Sequence, residues 1–243
     1  GMEWAIMIDM ATFFFSGTAI AALKMKLPPR EDAEKVSVRA VAHDMADGLK
    51  YLRGSRLLWA ITMLGMALNF IASPVNAFYT PFVTDSLGGG ATLLSVTQLV
   101  QVGGVAVGAL MVPRLEKIRI RTTATVTGLV FALSGVAMPA LLLFPALVQR
   151  AAGLLAISLL EGLSLGVLNT LYSSQFMIHT DKEFLARTTG VTNSLLMLMS
   201  PAGTLMCSAA AAFMSVPECL FYLSLACAAL FYIVTRMRAF KEL

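Results

Sequence analysis

Long apolar stretches with almost no charge inside them run through this chain at 4–23, 57–79, 93–112, 122–144, 151–172, 188–214 and 219–235. Few folds accept that pattern. A helix needs about 20 residues to cross the hydrocarbon core of a bilayer, and each stretch is close to that length. Only 13% of the 243 residues are charged and 58% are hydrophobic, whereas a soluble domain carries about 25% charged residues. That balance excludes a disordered chain, a nucleic-acid-binding domain and an ordinary cytosolic enzyme. It leaves an integral membrane protein. The stretches show no alternation of period two, and open strands cannot satisfy their backbone in lipid, so the expected state is helix. Pro74, Pro139 and Pro201 stand inside the stretches. Membrane helices tolerate such prolines and often kink at them.

The basic residues set an orientation. If the segments between spans alternate sides, 24–56, 113–121, 173–187 and the tail 236–243 hold seventeen of the 18 Lys and Arg residues, and the other side holds only Arg150. Positive residues collect on the cytoplasmic side. The expected topology is therefore a plasma-membrane protein with the N-terminus of this chain outside and its C-terminus inside. The net charge of +4 hides this asymmetry. Cys207, Cys219 and Cys227 are dispersed in or beside apolar stretches, which suits buried thiols rather than a disulfide framework or a zinc site. No metal or cofactor is expected. Glu3 stands where a secretory leader would be basic, and Gly1 before Met2 reads as a residue added ahead of a start codon.

The segment 24–56 is the only long connection. Pro28-Pro29 ends the first helix, and 31–53 reads as an amphipathic helix with Val38, Val41, Met45, Leu49 and Leu52 three or four residues apart. It would lie along the membrane surface or across the mouth of the bundle. His43 stands there with no second metal ligand nearby. The expected organisation is a lone span at 1–23, a connector at 24–56 and a six-helix bundle at 57–243.

Several local patterns carry a family resemblance. Gly48-Leu49-Lys50-Tyr51-Leu52-Arg53 is followed by Leu57-Leu58, and Leu87-Gly88-Gly89-Gly90-Ala91 forms a glycine-rich turn. Gly108-Ala109-Leu110 precedes Arg114, Lys117 and Arg119. Gly162, Gly166, Asn169 and Gln175 precede Glu183, Arg187 and Gly190. In this order they resemble the sixth span and second half of a major facilitator superfamily transporter, of the macrolide-efflux-like exporter branch. Asp9 resembles an acidic position in that sixth span. The chain departs from the family pattern where Val112-Pro113 replace an acidic residue before the basic loop, and where 179–183 lack a proline. The resemblance implies an all-α membrane protein without catalytic residues, working as a secondary active exporter. Its partners would be the lipid bilayer, a small hydrophobic substrate, the proton gradient, and either an N-terminal half or a second copy. The five spans that come first in the family lie outside this chain, so a truncated, non-transporting piece is the alternative.

Asp9 and Glu161 are the only acids inside the expected spans. A charge at the bilayer centre costs about 2.5–3.5 kcal/mol on insertion scales, so each is a candidate proton or substrate site. The plainer alternatives are a wet outer vestibule for Asp9 and a hydrogen bond to a neighbouring helix for Glu161. Asn69, Asn76, Gln98 and Gln101 could line a cavity or hold helices together. Gly104 with Gly108, and Gly162 with Gly166, are small pairs on single faces that permit close helix contact; Asn169 lies one turn from Gly166, and the family resemblance implies a packing role for it. Contacts across the cytoplasmic face act as a gate in the family the chain resembles, so the resemblance implies that Arg114, Arg119, Glu183 and Arg187 are candidates for a cytoplasmic gating network. The Met197, Met199 and Met206 group reads as filler more readily than as a drug site. Two other classes fit worse. A seven-span receptor would not have so long a first cytoplasmic loop beside such short outer ones, and the last span holds no lysine for retinal. An intramembrane enzyme would need a HExxH, GxSxG or paired aspartate pattern, and none occurs.

Overall fold

The computed structural model describes residues 2–22, 38–114 and 119–236. Pro28-Pro29, residues 31–37 of the expected connector helix, Lys117 and the tail from 237 lie outside the described residues. Among those described, every regular element is helical and there is no strand. The chain divides into two units, Gly1–Val41 and Ala42–Leu243.

The first unit contains α1 (Met2–Ala22). Trp4, Met7, Phe13, Phe14, Phe15 and Ile20 surround this helix and are exposed. A helix that is apolar on every side belongs inside lipid or protein rather than along a water boundary. Its apolar run, Ile6–Ala22, is shorter than those of the helices in the second unit that are long enough to cross a bilayer.

The second unit takes in α2 (Val38–Gly54) from Ala42 onward, then α3 (Arg56–Pro81), α4 (Gly90–Met111), α5 (Ile120–Ala140), α6 (Leu147–Ile178), α7 (Leu185–Ala211) and α8 (Val216–Arg236). Five of these, α3, α4, α5, α6 and α8, are long and apolar enough to cross a membrane. The seven expected spans thus become five strongly apolar helices, the shorter α1 and the more polar α7. Thr188, Thr189, Thr192, Asn193, Ser194, Ser200, Thr204 and Ser208 dilute the apolar character of α7. The α6 helix runs six residues past the expected end at 172, because Ser173, Ser174 and Gln175 continue the helix beyond the apolar run.

Helix pairing follows small residues. The main partners are α4 with α6, α5 with α8, and α3 with α7. A Cβ on Gly104 would lie 2.9 Å from the Leu159 carbonyl, and one on Gly108 would overlap the Leu163 carbonyl. In return, a Cβ on Gly162 or Gly166 would overlap the carbonyl of Gln101 or Val105. The two backbones therefore lie directly against each other. Gly135 opposes Ser224 between α5 and α8, and Gly203 opposes the Phe70 carbonyl between α3 and α7. A π-helical turn (Phe82–Ser86) leads from α3 towards α4, and Gly88 and Gly90 have φ of 73° and 62° there. That left-handed backbone explains two glycines of the Gly88-Gly89-Gly90 run.

Helices α3 and α6 run antiparallel with a seam between them. Tyr79 and Ser158 share a hydroxyl hydrogen bond of 3.1 Å near one end. Further along, Gly65 faces the Tyr172 hydroxyl, and Leu58 packs in one cluster with Phe176 near the other end. Phe131 of α5 and Cys227 and Phe231 of α8 form part of the wall behind the seam.

Candidate functional site

Glu161 is 3% exposed and lines a cavity of about 320 Å³ between α3, α4, α5 and α6. Asn76, Tyr79, Gln98 and Gln101 supply its other polar groups, and Val75, Val102, Val105, Phe131 and Leu165 are among its apolar ones. Gln98 and Gln101 stand three residues apart on α4, so both reach the same space. The neighbouring Gly162 lets the α4 backbone approach α6 at Gln101. The Gln101 amide then donates to Glu161 Oε2 at 3.4 Å, a long hydrogen bond. No Lys, Arg or His among the described residues forms an ion pair with Glu161. The arrangement is a single carboxyl in an amide-lined apolar cavity. Such a group can take up a proton or a hydrogen-bond donor carried by a ligand.

Asn69 lies in a second cavity of about 240 Å³ together with Asn169. Ala72, Phe131 and Leu165 border both cavities. The Asn69 amide donates to the Gly65 carbonyl at 3.1 Å. Asn169, read from sequence as a packing residue, thus also faces open space. Asp9 belongs to the first unit, where it is exposed and its carbonyl accepts a 2.7 Å hydrogen bond from Thr12. A third cavity, of about 310 Å³, lies between α6 and α7, with Tyr172, Ser173, Phe176, Thr189, Thr192 and Asn193 in its lining. Tyr79, Tyr172 and Thr192 did not stand out in the sequence. The one available signal for Tyr79 is its spacing of three from Asn76.

A separate polar cluster joins α2 to the start of α7. Arg187 Nε lies 3.0 Å from Asp44 and a guanidinium nitrogen lies 4.0 Å from Asp47, while His43 lies 3.3 Å from Asp47. The Tyr51 hydroxyl donates to the Asp181 carboxylate and accepts from the Asp181 backbone N–H, both at 3.0 Å. The Tyr51 ring stacks on Phe184 at 4.5 Å. Gly48 lets this close contact form, since a Cβ there would lie 3.0 Å from the Arg187 carbonyl. Leu49 and Leu52 pack beneath with Phe176 and Val191. Arg114, Arg119 and Glu183 are exposed and form no ion pair among the described residues. Arg187 is thus held by the acids of α2.

The family described as Major Facilitator Superfamily matches residues 1–204. Macrolide efflux protein A of Enterococcus faecalis is 23% identical over 186 residues, which cover 76% of this chain and 56% of that protein. The chain thus spans about half the length of the curated relative it matches. No solved structure matches.

Proposed function

Because the chain belongs to the major facilitator superfamily, whose members are membrane transporters and not enzymes, we propose that it serves proton-coupled export of hydrophobic compounds by alternating access. The observation that carries this reading is Glu161, a buried carboxyl without a cationic partner among the described residues, set in a cavity with Gln98, Gln101 and Asn76. Desolvated acids without counter-charges mark proton and substrate pathways in membrane proteins. The name of the macrolide efflux relative supports efflux of a drug-like compound. In this reading 1–23 is a span of an N-terminal bundle, 24–56 is a cytoplasmic connector and 57–243 is the C-terminal transport bundle. The N-terminus of the chain lies outside and the basic segments lie inside, as the charge asymmetry favours. Alternating access needs a second bundle to rock against, supplied by an N-terminal half or a second copy.

The test is accumulation of a labelled macrolide by susceptible bacteria that express the complete gene product. Expressing cells are expected to hold severalfold less label, and a protonophore should erase the difference. Equal accumulation in expressing and control cells would overturn the reading.

We also infer that the contacts of Arg187 with Asp44 and Asp47 keep α2 clamped to the bundle while the cytoplasmic side is closed. These side chains are nearly half exposed, so each pair adds only about 0.2–1 kcal/mol to stability. Arg187→Glu is therefore expected to leave the melting temperature within a few degrees but to slow transport severalfold. The double change with Asp44→Arg should restore much of the rate. Wild-type transport by the single variant would end the gating role.

A further inference from the structure

Three helix pairs of the bundle are closely packed, α4 with α6, α5 with α8 and α3 with α7. The α3–α7 pair is also tied through its polar groups, beside a proline on each helix. Pro74 has no N–H to give the Phe70 carbonyl. That carbonyl lies instead against Gly203 of α7, where a Cβ would overlap it. Close by, Ser200 donates to Ser73 at 3.1 Å, and Ser73 shares a 2.7 Å hydrogen bond with Thr204. Thr204 in turn donates to the Ser200 carbonyl across Pro201. Two helices joined by backbone contact and a closed chain of hydroxyls move as one body.

The boundary between this pair and the other helices is tied far less. The three cavities lie on it, the first two walled on one side by α3 and the third by α7. Tyr172 of α6 and Thr192 of α7 stand on opposite sides of the boundary, and their buried hydroxyls have no hydrogen-bond partner among the described residues. Unpaired buried hydroxyls raise the energy of this arrangement. Helices α3 and α6 touch at few points. The contact of α3 with α8 is apolar, as where Phe78 clusters with Leu220 and Leu223, and apolar contact is not directional. Among the described residues, Tyr79 is the one side chain of the α3–α7 pair that hydrogen-bonds to α4, α5, α6 or α8. Its hydroxyl meets Ser158 at 3.1 Å, with Thr97 of α4 facing the same group. Ser158 is 1% exposed and stands one turn from Glu161.

We propose that the α3–α7 pair is a movable wall of the Glu161 cavity, latched shut by the hydrogen bond between Tyr79 and Ser158. The proposal rests on the reading of Glu161 as the transport group and names what controls access to it. Tyr79 is a positioning residue here, since it acts through the wall and not on the proton. When the pair swings away, Ala72, Val75 and Asn76 leave one side of the cavity and the carboxyl loses its cover. Helix α4 stays in place, because Gly104 and Gly108 hold it to α6 backbone against backbone. Glu161 is thus uncovered while Gln101 remains beside it. One neutral hydrogen bond is worth about two- to tenfold in an equilibrium constant. That is enough to bias the wall towards closure and little enough for it to open in each cycle.

Carbodiimide labelling of the complete gene product in proteoliposomes tests the latch. At one fixed pH, a water-soluble carbodiimide couples a labelled amine to accessible carboxyls, and mass spectrometry quantifies the peptide that carries Glu161. Tyr79→Phe keeps the ring and removes the hydroxyl, and Ser158→Ala removes its partner. Each is expected to raise labelling of Glu161 about threefold or more, with the melting temperature within a few degrees of wild type. The double variant should label no more than the stronger single one, because both changes remove the same bond. Thr84→Val should label as wild type does, since that hydroxyl bonds only within its own turn. Wild-type labelling in both single variants, or gains that multiply in the double variant, would overturn the latch. Labelling reads access alone. A protein that shows the expected labelling but moves no macrolide would therefore overturn the transport reading of Glu161 and leave the latch standing.

Discussion

Glu161→Gln in the complete gene product is expected to abolish proton-driven macrolide accumulation gradients, a loss of at least tenfold, while downhill macrolide exchange continues. Gln occupies nearly the same volume and keeps a carbonyl oxygen able to accept the Gln101 hydrogen bond. It cannot bind or release a proton. The change also removes the cost of holding a carboxylate in low dielectric, about 2.5–3.5 kcal/mol at a bilayer centre. The variant should therefore be at least as stable as the wild type, and lost coupling would not be explained by unfolding. Transport measured against an imposed pH gradient, together with exchange at equal pH, separates the two effects. If the variant transports against the gradient with unchanged dependence on external pH, Glu161 is a structural hydrogen-bonding group and the carrier lies elsewhere.

The helices were legible because the property that makes them, long apolar runs without charge, is written along one dimension. Glu161 was legible for the same reason, since an acid within such a run incurs an evident cost. Its surroundings were not. Gln98 and Gln101 could be seen to share a face of α4, but meeting Glu161 depends on the register of α4 against α6. That register is set by which carbonyl each glycine meets. Both glycine pairs were visible as small-residue motifs, and the fact that they face each other was not. The pairing of α5 with α8 uses Gly128 and Gly135, too far apart to read as a small-residue pair, and that of α3 with α7 uses Gly203 alone. Tyr172 and Thr192 gave no signal because threonine usually bonds its own helix and tyrosine is common near helix ends. Their distinction is a missing partner, which is a property of three dimensions. Arg187 meets Asp44 and Asp47, a pairing the sequence did not show, because Leu49 and Leu52 seat α2 on the α6–α7 end.

Gly166→Leu should prevent a stable bundle from forming, with a cost of about 3 kcal/mol or more. Its Cβ would fall within the Val105 carbonyl of the facing helix. Backbone cannot move aside as a side chain can, so α4 and α6 would have to separate along their whole contact. That contact carries Gln101 and Val105 towards Glu161, so separation would also dismantle the cavity. In detergent, the variant should lose its monodisperse peak on size-exclusion chromatography and its macrolide transport together. Gly166→Ala should show an intermediate loss. Truncation of the opposing side chain, Val105→Ala, should not rescue it, because the clash is with main chain. Gly103→Leu is the matched control. It lies on α4 one residue from Gly104, but nothing stands within 4 Å of its Cβ position, so it should leave folding intact. If both leucine variants fold equally well, the two helices do not meet backbone to backbone, and the register that brings Gln101 to Glu161 would have to be abandoned.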